Sequence, residues 1–233
     1  LFDQVLPSHV APAIDHLLAQ ANAALESVTA PNFAPSWTGM AQVLDVATER
    51  LSRAWGTVSH LNAVVDTPEL RAAYNEALPK ITEFWTRLGA DERLYAKYKA
   101  MRAEDLNPEQ AQARTNAIRN FVLSGAELTG PAKQRFAEIQ ERQAFLSQKF
   151  SENTLDATDA WTYIAKTEEL AGVPADVLAA TAAAAKAEGK DGHLISLKMP
   201  VYLPVMQFAS NAALREKLYH AYATRASELF ERP

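Results

Sequence analysis

The stretch that decides the fold is Ser36–Val65, SWTGMAQVLDVATERLSRAWGTVSHLNAVV. Its residues Trp37, Ala41, Leu44, Ala47, Leu51, Trp55, Val58, Leu61 and Val65 step by three and four throughout. That spacing lines one face of an α-helix with apolar side chains. Ser36 stands ahead of the first apolar residue, where its hydroxyl can accept from a backbone N–H that the opening turn leaves unpaired.

The same periodicity extends both ways. Upstream, Ile14, Leu17, Leu18, Ala21, Leu25 and Val28 form a first helix, with Ser8 ahead of it and Pro12 in its opening turns. Downstream, Thr67-Pro68-Glu69 opens a third, with threonine as cap and proline at the first helical position. Its stripe is Leu70, Tyr74, Ala77, Ile81, Phe84 and Leu88. Pro79 inside it deletes one backbone donor and crowds the preceding turn, which predicts a kink. A short fourth helix carries Leu94, Tyr95, Tyr98 and Met101, and Asn107-Pro108-Glu109-Gln110 starts a fifth that runs through Ile118, Phe121 and Val122. A sixth follows Thr129-Gly130-Pro131, with Phe136, Ile139, Leu146 and Phe150 on one side. Links this short predict antiparallel neighbours. The aromatic residues fall mainly on the stripes, where core packing is their ordinary work.

After Asp156 the pattern changes. Trp161-Thr162-Tyr163-Ile164-Ala165 and His193 to Met199 are β-branched or alternating. They flank an alanine-rich helix opened by Pro174 and closed near Gly189. Pro200 and Pro204 bracket Val201-Tyr202-Leu203 ahead of a last helix from Asn211, with Leu214, Leu218, Ala221, Tyr222 and Leu229 at helical spacing. No glycine cap follows between Glu228 and Pro233, so that helix is expected to run to the end of the sequence. The fold class predicted is mainly α: a multi-helix antiparallel bundle-like domain with a small two-stranded β element near residues 161–165 and 193–199. Residues 1–158 are expected to form the helical domain. Residues 159–233 would hold the β element and the start of a further helical region.

The 233 residues carry a formal net charge of −5, are 48% apolar and include no cysteine. The charge argues against a nucleic-acid-binding surface. The lack of cysteine excludes disulfides, thiol catalysis and cysteine–zinc sites in this segment, and fits a reducing cytoplasm. No run approaches the ~18 apolar residues of a membrane span, and the opening LFDQVLPSHVAP lacks the regions of a signal peptide.

A search for chemistry finds fragments of sites. A thermolysin-type zinc site needs two histidines one helical turn apart with a glutamate beside the first. No two of His9, His16, His60, His193 and His220 are four apart, and none has a glutamate three residues before it. Glu216 and His220 come nearest to a metal motif, but an exposed pair supporting its helix accounts for them. His9 and His16 could share a face; with no third ligand they are read as surface or cap residues. Ser124-Gly125-Ala126 lacks the context of a nucleophile elbow. Gly189-Lys190-Asp191-Gly192 is a turn before a strand. Lys133, Arg135, Arg142 and Lys149 alternate with Glu138, Glu141 and Glu152, a solvated face. Arg225 falls on the apolar stripe of the last helix. It must pair with a carboxylate or carbonyls, or line a wet cavity. Gln143, Asn153 and Thr154 interrupt the sixth helix, either to satisfy backbone groups or to face a second domain. No catalytic or metal-binding residue is assigned, and the residues that touch a substrate stay open.

A set of phrases, in order along nearly the whole chain, carries a resemblance. They are Ser59-His60-Leu61-Asn62, Pro68 to Asn75, Leu94 to Tyr98, Asn120 to Leu128, Phe150 to Thr158, Leu170 to Pro174, Tyr202 to Met206, Leu214-Arg215-Glu216 and Tyr222 to Ser227. Together they resemble the zinc metallo-oligopeptidases of the thimet oligopeptidase and oligopeptidase A type. The resemblance implies a cytoplasmic enzyme that hydrolyses short peptides. Its zinc would be held by a His-Glu-x-x-His helix and a further glutamate, with the motif's own glutamate taking a proton from the attacking water. It also implies that a helical amino-terminal domain faces the catalytic domain across a deep channel. The zinc motif is missing here, so this chain is expected to be the channel wall, inactive alone, with its own catalytic domain and short peptides as partners. The competing expectation is a free-standing helical module that binds peptides or a protein without catalysis. A helical metal–carboxylate enzyme has Glu216 and His220 as its only support.

Overall fold

Proline can open a helix because the N–H it lacks is one the first turn leaves unpaired anyway. In the computed structural model, which describes residues 2–229, α1 (Pro7–Thr29) starts in this way. Ser8 therefore lies inside the first turn rather than ahead of it. His9 closes the end from both sides. Its backbone N–H donates to the Leu6 carbonyl at 2.9 Å, and its Nδ1 accepts from the Leu6 N–H at 3.3 Å.

The Ser36–Val65 stretch forms one helical run in three segments: α2 (Trp37–Met40), a π-helical turn (Ala41–Asp45) and α3 (Val46–Val64). Ser36 Oγ accepts from the Gly39 N–H at 3.3 Å, as its position predicts. In the π turn the Val46 N–H reaches back five residues to the Ala41 carbonyl. This widens the turn and changes the phase of everything after it. The buried residues are Met40 ahead of the turn, Leu44 within it, and Leu51, Val58 and Leu61 after it. Val65, past the helix end, is exposed, and Met40, off the expected stripe, is buried.

α4 (Pro68–Gly89) is capped by Thr67, whose Oγ1 accepts from the Leu70 N–H at 3.2 Å, and it continues past Pro79. In α5 (Glu92–Ala100) the cap is Asp91, accepting from the N–H groups of Arg93 and Leu94 at 2.9 and 3.0 Å. A reciprocal box opens α6 (Pro108–Leu123): Asn107 Oδ1 accepts from the Gln110 N–H at 2.8 Å, and Gln110 Oε1 accepts from the Asn107 N–H at 3.1 Å. α7 (Gly130–Ala160) spans 31 residues. Its Ile139, Leu146 and Phe150, expected to form a stripe, are 46%, 48% and 62% exposed.

The chain divides into two compact units, Leu1–Phe145 and Leu146–Pro233, with the boundary inside α7. The first unit holds two cores. In one, Val10, Ile14 and Leu18 of α1 meet Leu51, Val58 and Leu61 of α3 and Leu70, Ile81 and Phe84 of α4. In the other, Leu25 and Val28 of α1 meet Met40, Leu44, Leu94, Tyr95, Met101 and Phe121. One helical run thus serves both cores, Met40 and Leu44 in one and Leu51, Val58 and Leu61 in the other.

In the second unit β1 (Thr162–Ala165) and β2 (His193–Ser196) pair antiparallel, with Thr162 opposite Ser196 and Ala165 opposite His193. Strand two is shorter than expected, because Met199 already belongs to a helix. α8 (Ala175–Ala187) is the alanine-rich helix. α9 (Met199–Phe208) was not expected from its two prolines: Pro200 sits in the first turn, where no donor is missed, and only Pro204 interrupts the ladder. α10 (Ala212–Ala223) is capped by Asn211, accepting from the Leu214 N–H at 3.2 Å. It ends at Ala223, and Leu229 lies outside it, 62% exposed, so the helix does not follow its stripe to that residue. Residues 230–233, also included in that expectation, lie outside the described residues. Trp161, Leu170, Ile195, Leu197, Val205 and Leu218 fill the core of this unit.

Two glycines are required by geometry. Gly172 has φ +95°, and a Cβ there would lie 2.3 Å from the Phe208 carbonyl oxygen. Gly192 has φ +104°, with the Ala165 oxygen 2.7 Å from where its Cβ would be.

Candidate functional site

The residues singled out by sequence are dispersed. His9 caps α1, His16 shares a 2.9 Å hydrogen bond with Gln20 on the surface, and the His60 ring lies 5.6 Å from that of Phe2. His193 is buried. Its Nδ1 lies 3.1 Å from Thr181 Oγ1 and 3.2 Å from the Leu178 carbonyl, and its Nε2 lies 3.3 Å from Thr167 Oγ1. These contacts tie β2 to α8 and satisfy the ring. Glu216 and His220 are both exposed. Among the described residues no group of three or more histidines, aspartates and glutamates is arranged to hold a metal ion.

Arg225 follows the end of α10 rather than lying on its stripe. Its Nε donates to the Tyr222 carbonyl at 2.9 Å, one guanidinium nitrogen donates to Thr158 Oγ1 at 3.0 Å, and the group stacks 3.5 Å over the Tyr222 ring. It closes the helix end by pairing with a carbonyl, one of the roles expected of it. Thr154 Oγ1 donates to the Phe150 carbonyl at 2.9 Å, while Gln143 and Asn153 are exposed. Ser124-Gly125-Ala126 closes α6, with Gly125 at φ +87°. Lys133 pairs with Glu92 at 2.6 Å and Arg135 with Glu138 at 3.0 Å, but Glu152, expected on the same solvated face, is buried and accepts from Gln148 at 3.3 Å.

A cavity in the first unit was not foreseen. It measures about 370 Å³, and Trp85, Leu88, Leu94 and Phe121 supply its apolar walls. Asp45, the last residue of the π turn, and Tyr98 of α5 bring a carboxyl and a phenol to it, beside the polar side chains of Thr48, Asn120 and Ser124. Asp45 stands exposed, yet the protein around it removes enough solvent to raise its carboxyl above its ordinary value. The Tyr98 phenol is pushed up to about 12, first by burial and then by the negative charge of Asp45. Ser124 lines the cavity where α6 ends. It approaches α4 closely because Gly89 has no side chain; a Cβ there would lie 2.9 Å from that of Ser124. Sequence reasoning passed over Asp45 because it sits one residue after Leu44 in an apparently regular helix. Its placement depends on the π turn, which has no sequence signature of its own.

Comparison with known proteins places the molecule in a class. Residues 14–133 match the sequence model of the neurolysin/thimet oligopeptidase N-terminal domain, and the chain belongs to that family of peptidases. It is 44% identical over 232 residues to oligopeptidase A of Salmonella typhimurium, and 42% identical over 232 residues to oligopeptidase A of Escherichia coli. Over 238 residues it is 42% identical to a probable cytosolic oligopeptidase A of Arabidopsis thaliana. Each alignment takes in 97% of this chain and 34% of the relative, so the chain spans about a third of the length of the curated relatives it matches.

Proposed function

We propose that this chain is the amino-terminal, non-catalytic part of a zinc oligopeptidase of the oligopeptidase A type, and that it forms one wall of the channel through which short peptides reach the metal. The single observation that carries this reading is the end-to-end match, at more than two residues in five, to about a third of oligopeptidases whose names state a peptidase activity. On this reading the zinc belongs to the catalytic domain, this chain's partner in the same polypeptide. Among the described residues no cluster of donors is arranged for the ion, and no catalytic step is assigned to any residue of this chain. The compartment proposed is the cytoplasm; among the described residues no helix is long and apolar enough to cross a membrane.

The test has two arms. The coding frame past Pro233 is expected to contain a His-Glu-x-x-His helix within a few hundred codons. The purified chain is expected to show no chelator-sensitive turnover of a short internally quenched peptide. Absence of the motif would remove the peptidase reading, and zinc-dependent turnover by the chain alone would remove its non-catalytic role.

A further inference from the structure

We propose that the cavity bounded by Asp45, Trp85, Leu88, Leu94, Tyr98 and Phe121 binds a small organic monocation, a primary ammonium carried on an aromatic or short aliphatic body. The proposal concerns a site within the first unit and does not rest on the peptidase reading.

Three observations converge. The first is size and lining. At about 370 Å³, with an indole, a phenyl ring and three leucines in its walls, the cavity falls in the range of small-molecule sites. The second is an acid without a counter-charge. Among the described residues the Asp45 carboxylate makes no ion pair and no side-chain hydrogen bond. Other acids of this unit do pair: Asp91 and Glu26 with Arg93, Glu92 with Lys133, Asp15 with Lys80. Among the described residues no lysine, arginine or histidine lines the cavity. The third is a polar atom with unused capacity. Among the described residues the Tyr98 hydroxyl has no hydrogen-bond partner; only the Tyr98 backbone carbonyl is engaged, by Arg114.

The chemistry of the occupant follows. An anion would meet the Asp45 charge with nothing to offset it. A divalent ion favours several charged oxygen ligands, and Asp45 is the one carboxylate in this lining, beside the neutral side chains of Thr48, Tyr98, Asn120 and Ser124. A primary ammonium has three donors, which match the two carboxylate oxygens and the phenol oxygen. Its apolar body would lie against Trp85 and Phe121, whose ring faces also favour a nearby cation.

The probe is 2-phenylethylammonium, titrated into the 233-residue chain at about pH 7, where a primary amine and a peptide α-amino group are both mainly protonated. Amide NMR shifts are expected to saturate and to cluster on the π turn, α4, α5 and α6. Its neutral analogue 2-phenylethanol, and the variant Asp45→Asn with the probe, are each expected to bind at least about tenfold more weakly, since a charge-assisted contact becomes a neutral one. Tyr98→Phe is expected to cost a few-fold. An amidated Phe-Gly peptide presents the same ammonium on a longer body: binding at the same residues makes peptide amino termini the source, and binding of the small amine alone makes it a free amine. Failure to saturate at about 50 mM, equal affinity for the alcohol, or unchanged binding by a folded Asp45→Asn protein would each overturn the proposal.

Discussion

Replacing Gly172 with alanine should cost far more than the same change at Gly189, although both glycines have positive φ. Gly189 has φ +69°, and a Cβ there would meet nothing within 4 Å. At that position alanine costs only the left-handed backbone, about 1–2 kcal/mol. Gly172 has φ +95° and the Phe208 oxygen 2.3 Å from the same atom. A carbon–oxygen contact needs about 3.3 Å or more, so the turn and the end of α9 must separate by about 1 Å. Forcing extra volume into a packed site costs about 1–3 kcal/mol. The shift also pulls on the neighbouring bond from the Ser210 N–H to the Ala171 carbonyl, 2.8 Å long. The expected total for Gly172→Ala is about 2–5 kcal/mol, a large share of a domain's stability. The loss of unfolded-chain entropy on going from glycine to alanine is common to both variants and cancels in the difference. Hydrogen exchange of the β1 and β2 amides reads the second unit alone, which a global melt of two units would not. If Gly172→Ala accelerates that exchange no more than Gly189→Ala, the close approach to Phe208 carries no energetic weight.

Two further outcomes are expected. Burial would raise the Asp91 carboxyl, but the hydrogen bond from Arg93 and the backbone N–H groups of Leu94 and Arg93 prevail, and it lies below its ordinary value of 3.8. A carboxyl held low in the native state stabilises it above the unfolded value, and that contribution is lost as pH falls through the lower native one. The first unit should therefore lose stability below about pH 4, and Asp91→Asn, which keeps a cap at α5, should flatten this acid limb in urea titrations run from pH 6 downward. Thr181→Val removes the hydroxyl shared between His193 and the α8 backbone. It should cost about 1 kcal/mol by denaturant midpoint, whereas Thr181→Ser should cost less.

The helices were legible because their signals are local. Thr67-Pro68, Asn107-Pro108 and the periodic stripe after each of them need only neighbours in sequence to act. The family too was legible, because its phrases survive in order. What escaped reading depended on packing across elements. α9 was hidden by two prolines that its position in the fold tolerates. The stripe of α10 gave no sign that the helix stops at Ala223, where Arg225 folds back to close it. The cavity is assembled from the π turn, α4, α5 and α6, and no one segment announces it. Residues such as Glu152, buried in α7 with Gln148 and Lys149 beside it, carry no mark in sequence that separates them from solvated neighbours.

The extra-wide turn at Ala41–Asp45 makes segment length a coded property. Each residue of a regular helix advances about 100° around the axis. Met40 and Leu44 answer to one apolar cluster, while Leu51, Val58 and Leu61 answer to another. The turn acts as a mechanical spacer that lets a single rod mesh with two gears set at different angles. Point changes there alter the teeth; a gained or lost residue would disengage one gear from the rod altogether, so natural variation at this spot should run through substitution and not through insertion or deletion.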